Sequence, residues 1–252
     1  MKDALRLALA RLVAIWLAAG SRPFPFQPGP ALIMAPHADD ETLGCGGVIA
    51  AKTDRGDPVT VVFLTDSAGS HPGHPALTPG VLAATRRQEA RAALGELGVD
   101  AAQIHFLDAP DGRLDRLDPA ESAALKHQLA AVLAKVRPAE IFLPYLGGGS
   151  SEHDAAHRAC RAAVQASGLE PLIWEYPIWA WWNALRLRGR LFHPAGTFRL
   201  QLGANCGRKR RALACHRTQV MPATPWLQPV LPPVLGRLCT GAREFFFIAP
   251  SD

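Results

Sequence analysis

The chain has 252 residues, enough for one sizeable core, and 48% hydrophobic against 19% charged residues marks it as globular rather than disordered. Its net charge of +5 comes with no zinc-finger spacing and no basic–aromatic repeat, which argues against a nucleic-acid partner. Five cysteines (Cys45, Cys160, Cys206, Cys215, Cys239) are odd in number, widely spaced and without a Cys-x-x-Cys, so a disulfide framework and a cysteine zinc site are set aside and a cytoplasmic location is expected.

Residues 1–20 place Lys2, Arg6 and Arg11 ahead of an apolar stretch from Leu12 to Ala19. That stretch is short for a signal peptide, with Arg11 directly against it, and too short to span a bilayer. Leu5, Leu9, Leu12, Val13 and Trp16 share one helical stripe, so an amphipathic helix is expected, docked on the domain or resting on a membrane surface as a peripheral contact. Residues 21–30 are rich in proline and read as a linker to a domain spanning 31–252.

Residues 31–35 are a short apolar run that ends at Pro36 and predicts a buried strand. A polar loop follows, and Gly44-Cys-Gly-Gly47 opens a helix to about Arg55. Residues 59–65 predict a second strand, 67–80 a loop, and Ala83 to Leu97 a helix stopped by Gly98. Strand three is expected at 104–107, a turn at Pro110-Asp-Gly112, a helix over 121–136 and strand four at 140–145. Gly147 to Ser151 reads as a flexible loop and 154–167 as a helix. Further strands are expected at 172–182, 197–202 and 244–249, with a helix over 208–219 and a proline-rich loop from Pro222 to Pro233. The run Arg208-Lys209-Arg210-Arg211 reads as a solvated helix face.

Strands alternating with helices predict a single α/β domain with a doubly wound, mostly parallel sheet and helices on both faces. Such sheets bind ligands beyond the carboxyl ends of their strands. Three polar segments fall there, at 36–41, 65–74 and 147–157.

In the first segment, His37 and Asp40 stand three residues apart in a tight loop, a spacing that lets an imidazole and a carboxylate face one point. A third ligand from elsewhere, with one position left for water, completes the pattern of a catalytic zinc site. His157, on the helix after strand four, is the expected third ligand. Asp39, next to Asp40, is expected to take the proton of the activated water. The plain alternative for Asp39 is a helix cap, and for Arg86 a surface pair with Glu89 or Glu96. Trp174, Trp179, Trp181 and Trp182 read as core or sheet-edge residues, or as faces for a sugar ring.

Pro36-His37-Ala38-Asp39-Asp40-Glu41, followed by Thr-Leu-Gly-Cys-Gly-Gly, resembles the signature of the LmbE-like, or PIG-L, deacetylases. Further similarities follow in the family's order: Leu64-Thr-Asp66 with Ser70-His71-Pro72, Arg86-x-x-Glu89, Asp111-Gly112-x-Leu114, His157-Arg158, and Lys209-x-x-Ala212 through His216 to Gln219. The resemblance implies a Rossmann-like fold, one divalent ion (zinc, or alternatively iron), and removal of an N-acetyl group from a glucosamine unit or glycoconjugate. An amidase on a related conjugate and a non-catalytic metal- or sugar-binding relative are the alternatives. The implied ligands are His37, Asp40 and His157, the base Asp39, and the substrate contacts Arg86 and Asp111. Two departures stand out. Ala38 replaces the usual proline, and His153-Asp154-Ala155-Ala156-His157 replaces the usual His-x-Asp-His. The oxyanion role is therefore assigned to His153, and Asp154 is expected among the substrate contacts.

Overall fold

A computed structural model describes residues 2–192 and 196–249, so Met1 and the last three residues of the expected domain lie outside the described residues. In chain order come α1 (Lys2–Gly20), β1 (Arg22–Pro23), β2 (Ala31–Ala35), α2 (Asp40–Asp54), β3 (Val59–Thr65) and α3 (Pro79–Glu96). Then come β4 (Ile104–Ala109), α4 (Pro119–Val136), β5 (Glu140–Pro144), α5 (Ser151–Ser167), β6 (Leu172–Tyr176), α6 (Trp179–Trp182) and α7 (Arg188–Phe192). The last are β7 (Thr197–Gln201), α8 (Asn205–Cys215), α9 (Arg217–Val220), α10 (Pro233–Cys239) and β8 (Arg243–Ile248).

The strands form one sheet in the order β1-β7-β8-β6-β5-β2-β3-β4. Strands β2 to β6 are parallel, whereas β8 runs antiparallel to both β6 and β7. Successive side chains of a strand point to opposite faces, and here each face has its own core. Ile33, Phe63 and Phe142 pack on one face with α1, α2, α3 and α8, while Met34, Leu64 and Leu143 pack on the other with α4 and α5. Because both faces are covered, the strands are continuous apolar runs rather than alternating ones.

Several boundaries differ from the sequence reading, each for a local reason. The segment 21–30, expected to be a linker, contributes β1 to the sheet edge and buries Phe24 between Trp174 and Phe246. The strand expected over 172–182 stops at Tyr176, because Pro177 has no N–H for the ladder. Helix α5 starts at Ser151 rather than 154, because the Ser150 side chain accepts the His153 backbone N–H and caps it. The earlier start puts Glu152 and His153 in the first turn of α5, with His157 one turn further along.

β2 and β5 are neighbours, and from that pair the chain winds outward in both directions, through β3 and β4 on one side and β6 on the other. The switch point between β2 and β5 is where a doubly wound sheet opens its crevice. The loop after β2 and the start of α5 both end there.

Candidate active site

The loop after β2 is fixed before any ligand is considered. Asp39 has φ of 140°, a backbone region that side chains of L-residues rarely adopt. Glu41, fully buried, holds it in place by accepting the Asp39 backbone N–H at 2.9 Å. The same carboxylate accepts Thr42 Oγ1 at 2.5 Å and lies 3.0 Å from His216 Nε2. Burial works against a charged His216, but the Glu41 carboxylate outweighs it and raises the imidazole pKa. Arg86 is turned inward rather than paired on the surface: its guanidinium donates to the backbone carbonyls of Ser67 at 3.1 Å and Ala38 at 2.5 Å, and stands 3.3 Å from Asp39 Oδ1. Backbone strain held from three sides is characteristic of functional loops.

Asp39 precedes α2 at the N-cap position, yet its side chain makes no capping hydrogen bond. Its carboxylate is left to the cleft, which removes the capping explanation. Burial raises its pKa, Arg86 opposes that, and the balance sits at about 6.

His37, Asp40 and His153 converge, with their ligand atoms all within 4.8 Å of one another. His37 Nδ1 and His153 Nε2 each lie 3.2 Å from Asp40 Oδ2. Burial disfavours the Asp40 carboxylate, but the two imidazoles hold its pKa far below the usual carboxylate range. His153 Nε2 is buried and has no hydrogen-bond partner. A buried nitrogen left unsatisfied beside a carboxylate and a second imidazole fits a divalent cation, for which neutral imidazole and carboxylate are ordinary donors.

The far side of His37 is acidic. Its Nε2 lies 2.8 Å from Glu152 Oε2 and 3.1 Å from Asp111 Oδ1. Burial alone would lower the His37 pKa, but Asp111, Asp40 and Glu152 raise it well above its ordinary value. Asp111 also accepts the Gly69 backbone N–H at 2.7 Å, and Glu152 accepts that of Leu114 at 3.2 Å. Carboxylates on the outer nitrogen of a ligating imidazole fix its tautomer and orientation.

Two of the expected positions lie outside this cluster. His157 does not reach the cluster: it lies one turn further along α5, behind His153, with Nδ1 2.9 Å from the Pro144 carbonyl. Asp154 does not line the cleft, because its carboxylate accepts the Gly147 backbone N–H at 2.8 Å and shapes the preceding loop. His153, expected to serve the oxyanion, stands instead where the third ligand was sought. Glu152 was missed altogether, although a Ser-Ser-Glu-His run after a strand is a readable helix start that puts both polar residues in the first turn.

A cavity of about 610 Å³ opens over these groups. Its walls include Asp39, Arg86, Asp111 and Glu152, with Ser70, Ser150 and Gln219 as neutral polar groups and Trp179 as the aromatic one. Trp174 and Trp181 are buried in the core instead. Gln219 donates to Ser70 Oγ at 3.2 Å, and Ser70 Oγ lies 2.9 Å from His71 Nδ1, so α9 closes the cleft against the loop after β3.

A polar crevice at the switch point of a doubly wound sheet, pairing a His/Asp/His cluster with an uncapped buried aspartate, defines a class of α/β proteins. The family model described as PIG-L, GlcNAc-PI de-N-acetylase, matches residues 32–164, more than half of the sequence, and the chain belongs to that family. It is 34% identical over 170 residues to the 1D-myo-inositol 2-acetamido-2-deoxy-alpha-D-glucopyranoside deacetylase of Mycobacterium sp. (strain KMS), covering 60% of this chain and 53% of that protein. It is 32% identical over 114 residues to the diacetylchitobiose deacetylase of Thermococcus kodakarensis, covering 45% and 39% of the two chains. The chain thus spans about half the length of the curated relatives it matches. Among solved structures, the A40926 pseudoaglycone deacetylase Dbv21 superposes with a TM-score of 0.64 over 88% of this chain and 97% of its own, and at 19% identity that likeness speaks for the fold alone.

Proposed function

We propose that the chain is a metal-dependent hydrolase that removes the acetyl group from an N-acetylglucosamine-type sugar or glycoconjugate. One observation carries the proposal: the ligand atoms of His37, Asp40 and His153, whose buried Nε2 makes no hydrogen bond, lie within 4.8 Å of one another beside the uncapped Asp39, and His37, Asp39 and Asp40 line a cavity. About 610 Å³ suits a one- or two-ring ligand, within the ~300–1,000 Å³ common for small-molecule pockets. The relatives named as deacetylases of acetamido sugars point the same way.

In this scheme His37, Asp40 and His153 hold the ion, which we assign as zinc. When bound there, such an ion supplies Lewis-acid polarisation of the amide carbonyl and lowers the pKa of water. Asp39 accepts the proton of the attacking water as its oxygen bonds to the acyl carbon. The same carboxyl then donates that proton to the amide nitrogen as the C–N bond breaks, so acetate and a free amine leave. Arg86 keeps Asp39 oriented and on the anionic side of its equilibrium. Glu152 and Asp111 set the His37 ring, and Trp179 offers a face to the sugar.

The test is acetate release by the purified protein, loaded with Zn²⁺, from N-acetylglucosaminyl inositol and N,N'-diacetylchitobiose. Acetate and free amine are expected in equal amounts, lost on chelation and restored by the ion. Asp39→Asn should retain the metal and lose about 10²–10⁴-fold in kcat, the usual contribution of a positioned general base. Near wild-type turnover in that variant would refute the role of Asp39, and no acetate from either sugar would refute the reaction.

A further inference from the structure

Helix α1 has two apolar faces, where a helix at a protein surface ordinarily has one. Ala10, Val13 and Leu17 are buried against the domain. On the other side Leu5, Leu12, Ile15 and Trp16 are 71%, 65%, 63% and 64% exposed, and Leu9 continues the stripe between them. Isolated exposed apolar residues are ordinary, but a contiguous stripe of five marks an interaction surface. Beside α1 lies a second cavity of about 590 Å³, lined on its apolar side by Leu7, Ala14, Trp181 and Phe245. Arg11, Arg210, Arg237 and Arg243 line the same cavity, and all four are exposed. Its one acidic wall residue, Glu244, is buried and paired with Lys209 at 2.6 Å. Among the described residues, no carboxylate pairs with any of the four arginines. Arg11 sits on α1 between the exposed stripe and the cavity.

We propose that α1 and this arginine wall dock the protein on an anionic phospholipid bilayer, the apolar stripe resting at the acyl boundary and the arginines on headgroup phosphates. Charge decides the occupant. A second copy would bring the same four arginines towards one another, whereas an anionic leaflet complements them. The helix rests on the surface and does not cross it, since among the described residues no helix is long and apolar enough to span a membrane. The docking surface is independent of the deacetylase reading, because none of its arginines lines the active-site cleft.

Co-sedimentation of the full chain with phosphatidylcholine vesicles, with and without one quarter phosphatidylglycerol, tests this. Binding should require the anionic lipid, weaken by tenfold or more in high salt, and fall at least tenfold in Leu12→Glu/Trp16→Glu, whose side chains lie outside the core. Arg237→Glu/Arg243→Glu should remove the preference for anionic lipid while circular dichroism stays unchanged. Absence of binding to the anionic vesicles, or binding indifferent to both pairs of substitutions, would overturn the proposal. So would a doubling of mass in light scattering that Leu12→Glu/Trp16→Glu abolishes, since that outcome gives the stripe to a second copy.

Discussion

The two histidines of α5 differ by one helical turn, and the consequence is chemical. His153 presents an unsatisfied nitrogen to Asp40, whereas the Nδ1 of His157 is engaged by the Pro144 carbonyl at 2.9 Å. Elemental analysis after gel filtration should therefore find His153→Ala without its metal and His157→Ala still loaded. His157→Ala should instead lose thermal stability, because it leaves a buried backbone acceptor without its partner, at a cost of about 1–3 kcal/mol. The reverse pattern of metal content would return the ligand to His157. His37, Asp39 and Asp40 stand out in the sequence, because several polar residues at the end of an apolar strand have no role in packing, and the structure brings all three to the cleft. The choice between His153 and His157 was not legible from motif spacing. The two lie four residues apart on one face of α5, and which of them stands beside Asp40 follows from how the first turn of that helix, capped by Ser150, meets the loop after β2.

At the scale of the element, α2 depends on residues far along the chain. Glu244 of β8 accepts the backbone N–H groups of Gly47 at 2.5 Å and Val48 at 2.9 Å, while Lys209 of α8 donates to the Leu43 carbonyl at 2.8 Å. The glycines of Gly44-Cys-Gly-Gly47 make room for this: a Cβ at Gly47 would collide with Leu202 and Glu244, and one at Gly44 with Tyr176. Lys209 belongs to the run read as a solvated face, yet it is fully buried, while Arg208 and Arg211 of the same run pair with Asp54 and Glu96 at the surface. A row of four bases carries no sign of which one turns inward, since the partner carboxylate lies 35 residues further on. Lys209→Met should cost about 3–5 kcal/mol by stranding the buried Glu244 charge. Chemical denaturation reads this directly, and Lys209→Met combined with Glu244→Gln should recover part of the loss.

For the whole molecule, the parallel core was legible because strands buried on both faces are unbroken apolar runs. The edge was not: β1 has two residues, in a segment whose prolines suggest a linker. Yet α1 and β1 belong to the same core as the central strands, through Leu17, Phe24, Trp174 and Phe198. Leu17→Ala should accordingly lower the stability of the entire unit by about 2–5 kcal/mol, in a single transition. Two separate melting steps would mean that α1 unfolds on its own.

The family match ends at residue 164, but the loop carrying Asp39 is held through His216, and the helix behind it through Lys209 and Glu244. During synthesis, strands β2 to β5 and the two histidines of the cluster are in place long before these supports emerge. Because a chain leaves the ribosome N-terminal end first, the local supports of the Asp39 loop, Glu41 and Arg86, emerge early, whereas His216, which braces Glu41, and the Lys209 and Glu244 contacts to α2 come last. The full set of braces around the site is therefore complete only when the C-terminal elements α8, α9 and β8 have joined the fold.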